Sequence, residues 1–160
     1  MGILYAVATP IGNLEDITLR ALRILKEVDL IGAEDTRKTR KLLSHYEIHT
    51  PVTSYYGRES KADYLIAALN RGKNVAIVSE AGTPGISDPG YPLIKRAIEN
   101  GITVQSVPGP CAAISALVVS GLPTDGFIFT GFLPRKKGKS IKRLKELFNF
   151  EKTIIFYESP

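Results

Sequence analysis

Apolar residues recur along this chain in two alternating rhythms. Short continuous apolar runs of strand length are followed by stretches in which apolar residues return every three or four positions. Residues 4–8 (LYAVA) predict a first strand. Leu22, Leu25 and Val28 share one face of a helix predicted over 18–28, with Asp16 or Thr18 as its cap. Leu30–Ala33 predicts a second strand, and Asp35 or Thr36 caps a helix ending near Tyr46. Residues 52–55 read as a third strand. Ser60-Lys61-Ala62-Asp63 has a capping-box pattern and opens a helix that Gly72 terminates. The run 74–79 (NVAIVS) is β-branched and continuous, as a central parallel strand buried on both faces should be. Asp88-Pro89 supplies a cap and a proline at the first helical position, and Asn100-Gly101 stops that helix. Thr103–Val107 is a fifth strand, and a small-residue helix follows over 111–120.

Five strands alternating with helices predict an α/β fold, with a mostly parallel five-stranded sheet flanked by helices. The character changes after the Pro/Gly-rich segment 121–126. Residues 127–133 are aromatic-rich, a basic helix follows, and 152–158 reads as another strand. The expected organisation is a first domain over 1–121, a linker over 122–126 and the start of a second α/β domain over 127–160. Two strands and one helix are too few to bury a core of their own, so the chain is expected to be a fragment of a longer protein.

Composition narrows the class. The chain has 160 residues, 44% hydrophobic and 23% charged, which excludes a disordered chain. Its apolar runs are too short to span a bilayer. No secretory signal is visible, and the single cysteine, Cys111, fits a reducing compartment, so a cytoplasmic protein with no membrane partner is expected. Net charge is +5, yet residues 135–145 (RKKGKSIKRLK) carry seven basic groups and no acid. The rest of the chain is therefore slightly acidic, and the basicity is one local patch suited to a polyanion such as RNA, or simply a solvated face.

Several motifs fail. Gly138-Lys139-Ser140 resembles the end of a phosphate loop, but position 133 is Leu where glycine is required. The first loop, TPIGNLED, lacks the glycines of a dinucleotide fingerprint. His45 and His49 read as surface histidines, and no metal site is expected. Three loops remain at predicted strand ends, over 9–14, 79–90 and 108–112, each rich in Gly and Pro. Glycine lets backbone approach a ligand, and proline aims the amides in advance. Ligands of open α/β sheets bind at such ends. The loop 79–90 (SEAGTPGISDPG) is long for a mere connection.

ATPIGNLED at 8–16, EDTRKTRKLL at 34–43, SEAGTPGISDPG at 79–90, PGPCAAISAL at 108–117, and SGLP and GFLP further on are together similar to the ribosomal RNA small-subunit methyltransferase I family, within the tetrapyrrole-methylase superfamily. The match runs the whole chain in order. The family usually has Asp where Glu80 stands and often Ser where Cys111 stands. The resemblance implies S-adenosylmethionine as cofactor, 2′-O-ribose methylation of a cytidine in 16S RNA as activity, and the small-subunit RNA or 30S subunit as partner, with a homodimer. It implies that Pro10, Ala81, Gly82, Thr83, Ile86, Cys111 and Ala112 bind the cofactor. Methylating a hydroxyl requires that its proton leave, and the candidates for that chemistry are Glu34, Asp35, Arg37 and Asp88, with Asp35, Arg37 and Asp88 put forward. Asp35 and Asp88 read equally as helix caps. Arg135, Lys136, Lys137, Lys139, Lys142 and Arg143 would grip RNA backbone, and Tyr55 and Tyr56 would stack on a base or be ordinary packed aromatics. The competing readings are a methylase acting on a small tetrapyrrole-like substrate, and a non-catalytic cofactor- or RNA-binding fragment.

Overall fold

The computed structural model describes residues 1–57 and 59–159, so Pro160, the end of the expected second domain, lies outside the described residues. Five strands, β1 (Ile3–Val7), β2 (Leu30–Ala33), β3 (Val52–Ser54), β4 (Val75–Val78) and β5 (Thr103–Val107), form one sheet in the order β3-β2-β4-β1-β5. Every pairing is parallel, which bears out the expected α/β class. Helices α1 (Leu19–Glu27), α2 (Thr36–His45), α3 (Glu59–Asn70) and α4 (Gly90–Glu99) connect the strands.

Alternation along the strands sorts side chains between two cores. Leu4, Ala6, Val75 and Ile77 pack with Leu65 and Leu69 of α3 and Leu93 and Ala97 of α4. Val7, Ile31, Ala33, Ala76 and Val78 pack with Ala21, Ile24 and Leu25 of α1 and Leu43 of α2. Burying one such leucine fully stabilises the fold by about 2 kcal/mol. Gly32 in β2 leaves room for this packing: a Cβ there would stand 2.8 Å from Leu65 Cδ1 and 3.5 Å from Tyr55 Cδ1. The central strands β2 and β4 are buried at every position, so their polar chemistry is confined to their ends, while edge strand β5 exposes Thr103, Gln105 and Ser106.

Local signals decided most boundaries. Thr18, not Asp16, caps α1, its hydroxyl accepting from the Ala21 amide at 3.0 Å. Asp16 instead ends a short 3₁₀ turn, Leu14–Asp16, capped by Asn13, where a plain loop was expected. Asp35, not Thr36, caps α2. The expected capping box at Ser60 is not formed. Helix α3 already begins at Glu59, which places Ser60 inside its first turn, and the Asp63 carboxylate pairs instead with Arg96 of α4.

Compactness divides the chain into Met1–Cys111 and Ala112–Pro160, a helix earlier than the Pro/Gly-rich segment. The second unit holds α5 (Ala112–Val119), β6 (Phe127–Phe132), α6 (Lys137–Leu147) and β7 (Thr153–Tyr157). Here β6 and β7 pair in parallel, and α5 joins them through the Ala113 amide, which donates to the Tyr157 hydroxyl at 3.3 Å. Ala113, Leu117 and Leu147 are its buried apolar residues.

Candidate functional site

The carboxyl ends of the five strands carry the three loops rich in Gly and Pro, and the first unit ties those loops together. The Thr9 amide donates to the Gly82 carbonyl and the Gly82 amide to the Thr9 carbonyl, both at 3.0 Å. This pair is an isolated antiparallel bridge between the ends of β1 and β4. The Thr83 hydroxyl donates to the Pro110 carbonyl at 3.1 Å, which brings in the loop after β5. Gly82 is required on two counts. Its φ is +80°, and a Cβ would lie 3.3 Å from Ile11 Cγ2 and 3.6 Å from the Pro110 oxygen. The Gly82 amide is thus already engaged. The amides of Ala81 and Thr83, on either side of it, make no hydrogen bond among the described residues.

The second half of the 79–90 loop is tied to itself. Asp88 accepts from the Gly85 amide with both oxygens, at 2.8 and 2.9 Å, and from the Gly90 amide at 2.6 Å. Helix α4 begins at Gly90, one residue later than expected, so Pro89 and not Asp88 stands at its N-cap; Asp88 holds the Gly90 amide from one residue further back in the loop. Ser87 sits at φ 57°, a left-handed conformation that costs a non-glycine residue about 1–2 kcal/mol. Ile86 is exposed, as is Ala81, while Pro10 is half-buried. Cys111 ends the third loop and Ala112 opens α5.

The β2 and β3 end of the sheet has a different chemistry. Asp35 accepts from the Arg37 amide at 2.8 Å and from its guanidinium at 3.3 and 2.9 Å. That side-chain hydrogen bonding holds its carboxyl down to about 2. Glu34 beside it is half-buried, and burial pushes its carboxyl up. The charges of Glu80 and Asp88 act in the same sense, against the hydrogen bond from the Glu80 amide and the charge of Lys38. The Glu80 amide donates to Glu34 Oε2 at 3.1 Å, and Glu80 itself pairs with Lys38. Tyr55 is only 5% exposed, and its hydroxyl makes no hydrogen bond. Burial, followed by the charges of Asp88 and Glu34, raises its phenol far above the ordinary value. Tyr55 is thus a packed aromatic with no face free to stack on a base, whereas its neighbour Tyr56 is exposed.

A cavity of about 260 Å³ lies where Thr9, Pro10 and Gly12 of the first loop face Lys38, Thr39 and Leu42 of α2 and Ser79 and Glu80 after β4. Whole small-molecule sites usually measure ~300–1,000 Å³, so this one has room for only part of such a ligand. Thr9 is 2% exposed, and its hydroxyl is a buried polar atom without a partner. An unengaged hydroxyl, two free amides and glycine-thinned backbone suit a ligand gripped by main-chain groups.

The structure therefore brings Pro10, Ala81, Gly82 and Thr83 together, and gathers Asp35, Arg37 and Asp88 on the same edge of the sheet. The six basic residues, Arg135 to Lys137, Lys139, Lys142 and Arg143, are all exposed and lie in the second unit. Sequence reasoning gave no weight to Lys38, Glu80 or the buried Tyr55 hydroxyl. Lys38 stands inside the EDTRKTRKLL motif, and that was the available signal.

A model of the family described as Tetrapyrrole (Corrin/Porphyrin) Methylases matches residues 3–160. The chain is 54% identical over 161 residues to a ribosomal RNA small subunit methyltransferase I of Halalkalibacterium halodurans, covering 99% of this chain and 56% of that protein. Against the protein of the same name from Thermotoga maritima the identity is 54% over 162 residues, covering 100% and 72%. The chain spans a little over half the length of most such relatives. Among solved structures, a uroporphyrin-III-C-methyltransferase from Thermus thermophilus matches at a TM-score of 0.61 and 25% identity, over 84% of this chain and 64% of that one. Diphthine synthase matches at 0.69 and 15% identity, over 99% and 66%, a likeness of fold alone. The parallel sheet, its tied loops and these matches agree, and the chain belongs to the tetrapyrrole methylase family and, within it, to the ribosomal RNA small subunit methyltransferase I group.

Proposed function

We propose that this chain is the cofactor-binding part of an S-adenosylmethionine-dependent enzyme that methylates the ribose 2′-hydroxyl of a cytidine in small-subunit ribosomal RNA. The observation that carries the reading is the tie of three strand-end loops through Thr9, Gly82, Thr83 and Pro110, in a chain about half identical to proteins named for that RNA. Pro10, Ala81, Gly82, Thr83 and Ile86, with Cys111 and Ala112 at the end of the third loop, hold the cofactor. The unengaged Thr9 hydroxyl and the free amides of Ala81 and Thr83 fit its polar groups, and the glycine-thinned backbone admits its bulk. When bound, the cofactor supplies an electrophilic methyl group on a sulfonium.

The residues of this chain orient that ligand and manage the proton of the accepting hydroxyl. Pre-set loops supply positioning, since their amides need no reorganisation when the ligand arrives. Arg135, Lys136, Lys137, Lys139, Lys142 and Arg143 grip phosphates, which makes affinity depend on salt and little on sequence. The intact protein works in the cytoplasm as a homodimer. Transfer of labelled methyl groups to small ribosomal subunits, followed by mapping of the modified ribose, tests the reading. Label confined to a cytidine 2′-oxygen is expected. Label on tetrapyrrole acceptors and none on the RNA would replace the reading with that of a small-molecule methylase.

A further inference from the structure

Four carboxylates stand after β2 and in the loop after β4: Glu34, Asp35, Glu80 and Asp88. Glu80 is ion-paired with Lys38, and the hydrogen bonds of the other three separate them. Asp35 has both oxygens engaged, Oδ1 by the Arg37 amide and Nε and Oδ2 by Arg37 Nη2. Asp88 has both engaged by the amides of Gly85 and Gly90. Taking a proton on either would break contacts that hold α2 or the 79–90 loop. Glu34 has one oxygen held, Oε2 by the Glu80 amide at 3.1 Å, and Oε1 has no partner among the described residues. It follows the last residue of β2, at the edge where ligands of open α/β sheets bind. A second observation marks the spot. The Tyr55 hydroxyl, nineteen-twentieths buried and unpartnered, lies within electrostatic range of both Glu34 and Asp88.

We propose that Glu34 takes the proton from the accepting hydroxyl. This rests on the methyl-transfer reading above. The hydroxyl O–H bond breaks, its proton passes to Glu34 Oε1, and its electron pair stays on oxygen. That oxygen bonds the methyl carbon, and the carbon–sulfur pair returns to the sulfur of the sulfonium donor, which leaves as a neutral thioether. A base works best when its pKa approaches the working pH. Burial of Glu34 moves it that way, while Arg37 moves Asp35 away. The charged and titratable groups facing Glu34 are Glu80 and Asp88 from the 79–90 loop, Lys38 from α2 and Tyr55 after β3.

The test uses the intact protein and its Glu34→Gln and Asp35→Asn variants. It reads methyl transfer to small subunits against pH, cofactor affinity by calorimetry, and the Glu34 carboxyl resonance by carbon NMR titration. Glu34→Gln is expected to lower kcat about a hundredfold or more, remove the acid limb of the pH profile and leave cofactor affinity within about twofold. Asp35→Asn should keep kcat within about threefold. The Glu34 resonance should titrate above the ordinary range of ~4.3. An active wild type with an equally active Glu34→Gln, or a Glu34 resonance at or below the ordinary range, overturns the assignment alone. A wild type that methylates no small-subunit RNA overturns the reading on which it rests, and the assignment with it.

Discussion

The two halves of the sheet's carboxyl edge are built from different materials. At the ends of β1 and β5 the contacts go to main-chain groups and involve no charge: the backbone pair of Thr9 with Gly82, and the Thr83 hydroxyl on the Pro110 carbonyl. At the ends of β2 and β3 stand ionisable side chains: Glu34, Asp35, Arg37, Lys38 and the buried Tyr55. The 79–90 loop belongs to both, giving Gly82 and Thr83 to the first and Glu80 and Asp88 to the second. A backbone wall has a fixed shape and little dependence on pH, as befits holding a ligand. Side chains with perturbed protonation suit the movement of protons. On this division, mutations in the first half act on binding, and those in the second act on pH dependence.

The largest expected effect breaks the backbone half. Gly82→Val forces a β-branched residue to φ +80° with its Cβ against Ile11. Calorimetry should detect no cofactor binding, while circular dichroism still reports a folded protein; unchanged affinity would end the role given to this wall. Gly32→Ala strikes beneath the ionisable half, because its Cβ meets Leu65 and nears Tyr55. Denaturant unfolding should show a loss of roughly 1–3 kcal/mol, toward the low end since the tip of Leu65 can yield. Thr83→Val removes the tie to Pro110 and should cost about 1 kcal/mol in the same assay, with weaker cofactor binding. Weaker stability with binding untouched would show that this tie serves the fold only.

The smallest effect concerns Asp35. Folding favours its ionised form, because its carboxyl is held at about 2 against ~3.9 in the unfolded chain. Its contribution is therefore complete above the unfolded value and disappears as pH falls through the folded one. The stability gap between wild type and Asp35→Asn should narrow from about pH 4 toward pH 2 in acid unfolding curves. The gap is small throughout, since Arg37 is solvent-exposed and screened. A gap that stays constant over that window would break the ion-pair account.

Much of the fold was legible because its signals are local. Strand β4 announced itself through Val75 to Val78, and β2 through Leu30 to Ala33, both buried at every position. The three loops could be found because Gly and Pro mark where backbone turns. What pattern could not supply was the partner of each polar group. Asp63 sits where a capping box needs it, yet it pairs with Arg96 across the sequence. Asp35 reads from the sequence as a base or as a cap, and the Arg37 contacts that engage both its oxygens are invisible to pattern. Tyr55 looked like any aromatic at a strand end. Its ring packs into the core with Leu65 and close to Gly32, so the burial of its unengaged hydroxyl is a product of tertiary packing.

The bridge between Thr9 and Gly82 gives the molecule a built-in reporter. Both amides lie in loops, where exchange with solvent is ordinarily fast, yet each is protected by the other's carbonyl. Deuterium uptake at these two amides therefore times the parting of the first and second loops. It does so without substrate, label or turnover. The ratio of their uptake to that of β4 separates a local opening of the loops from unfolding of the whole sheet.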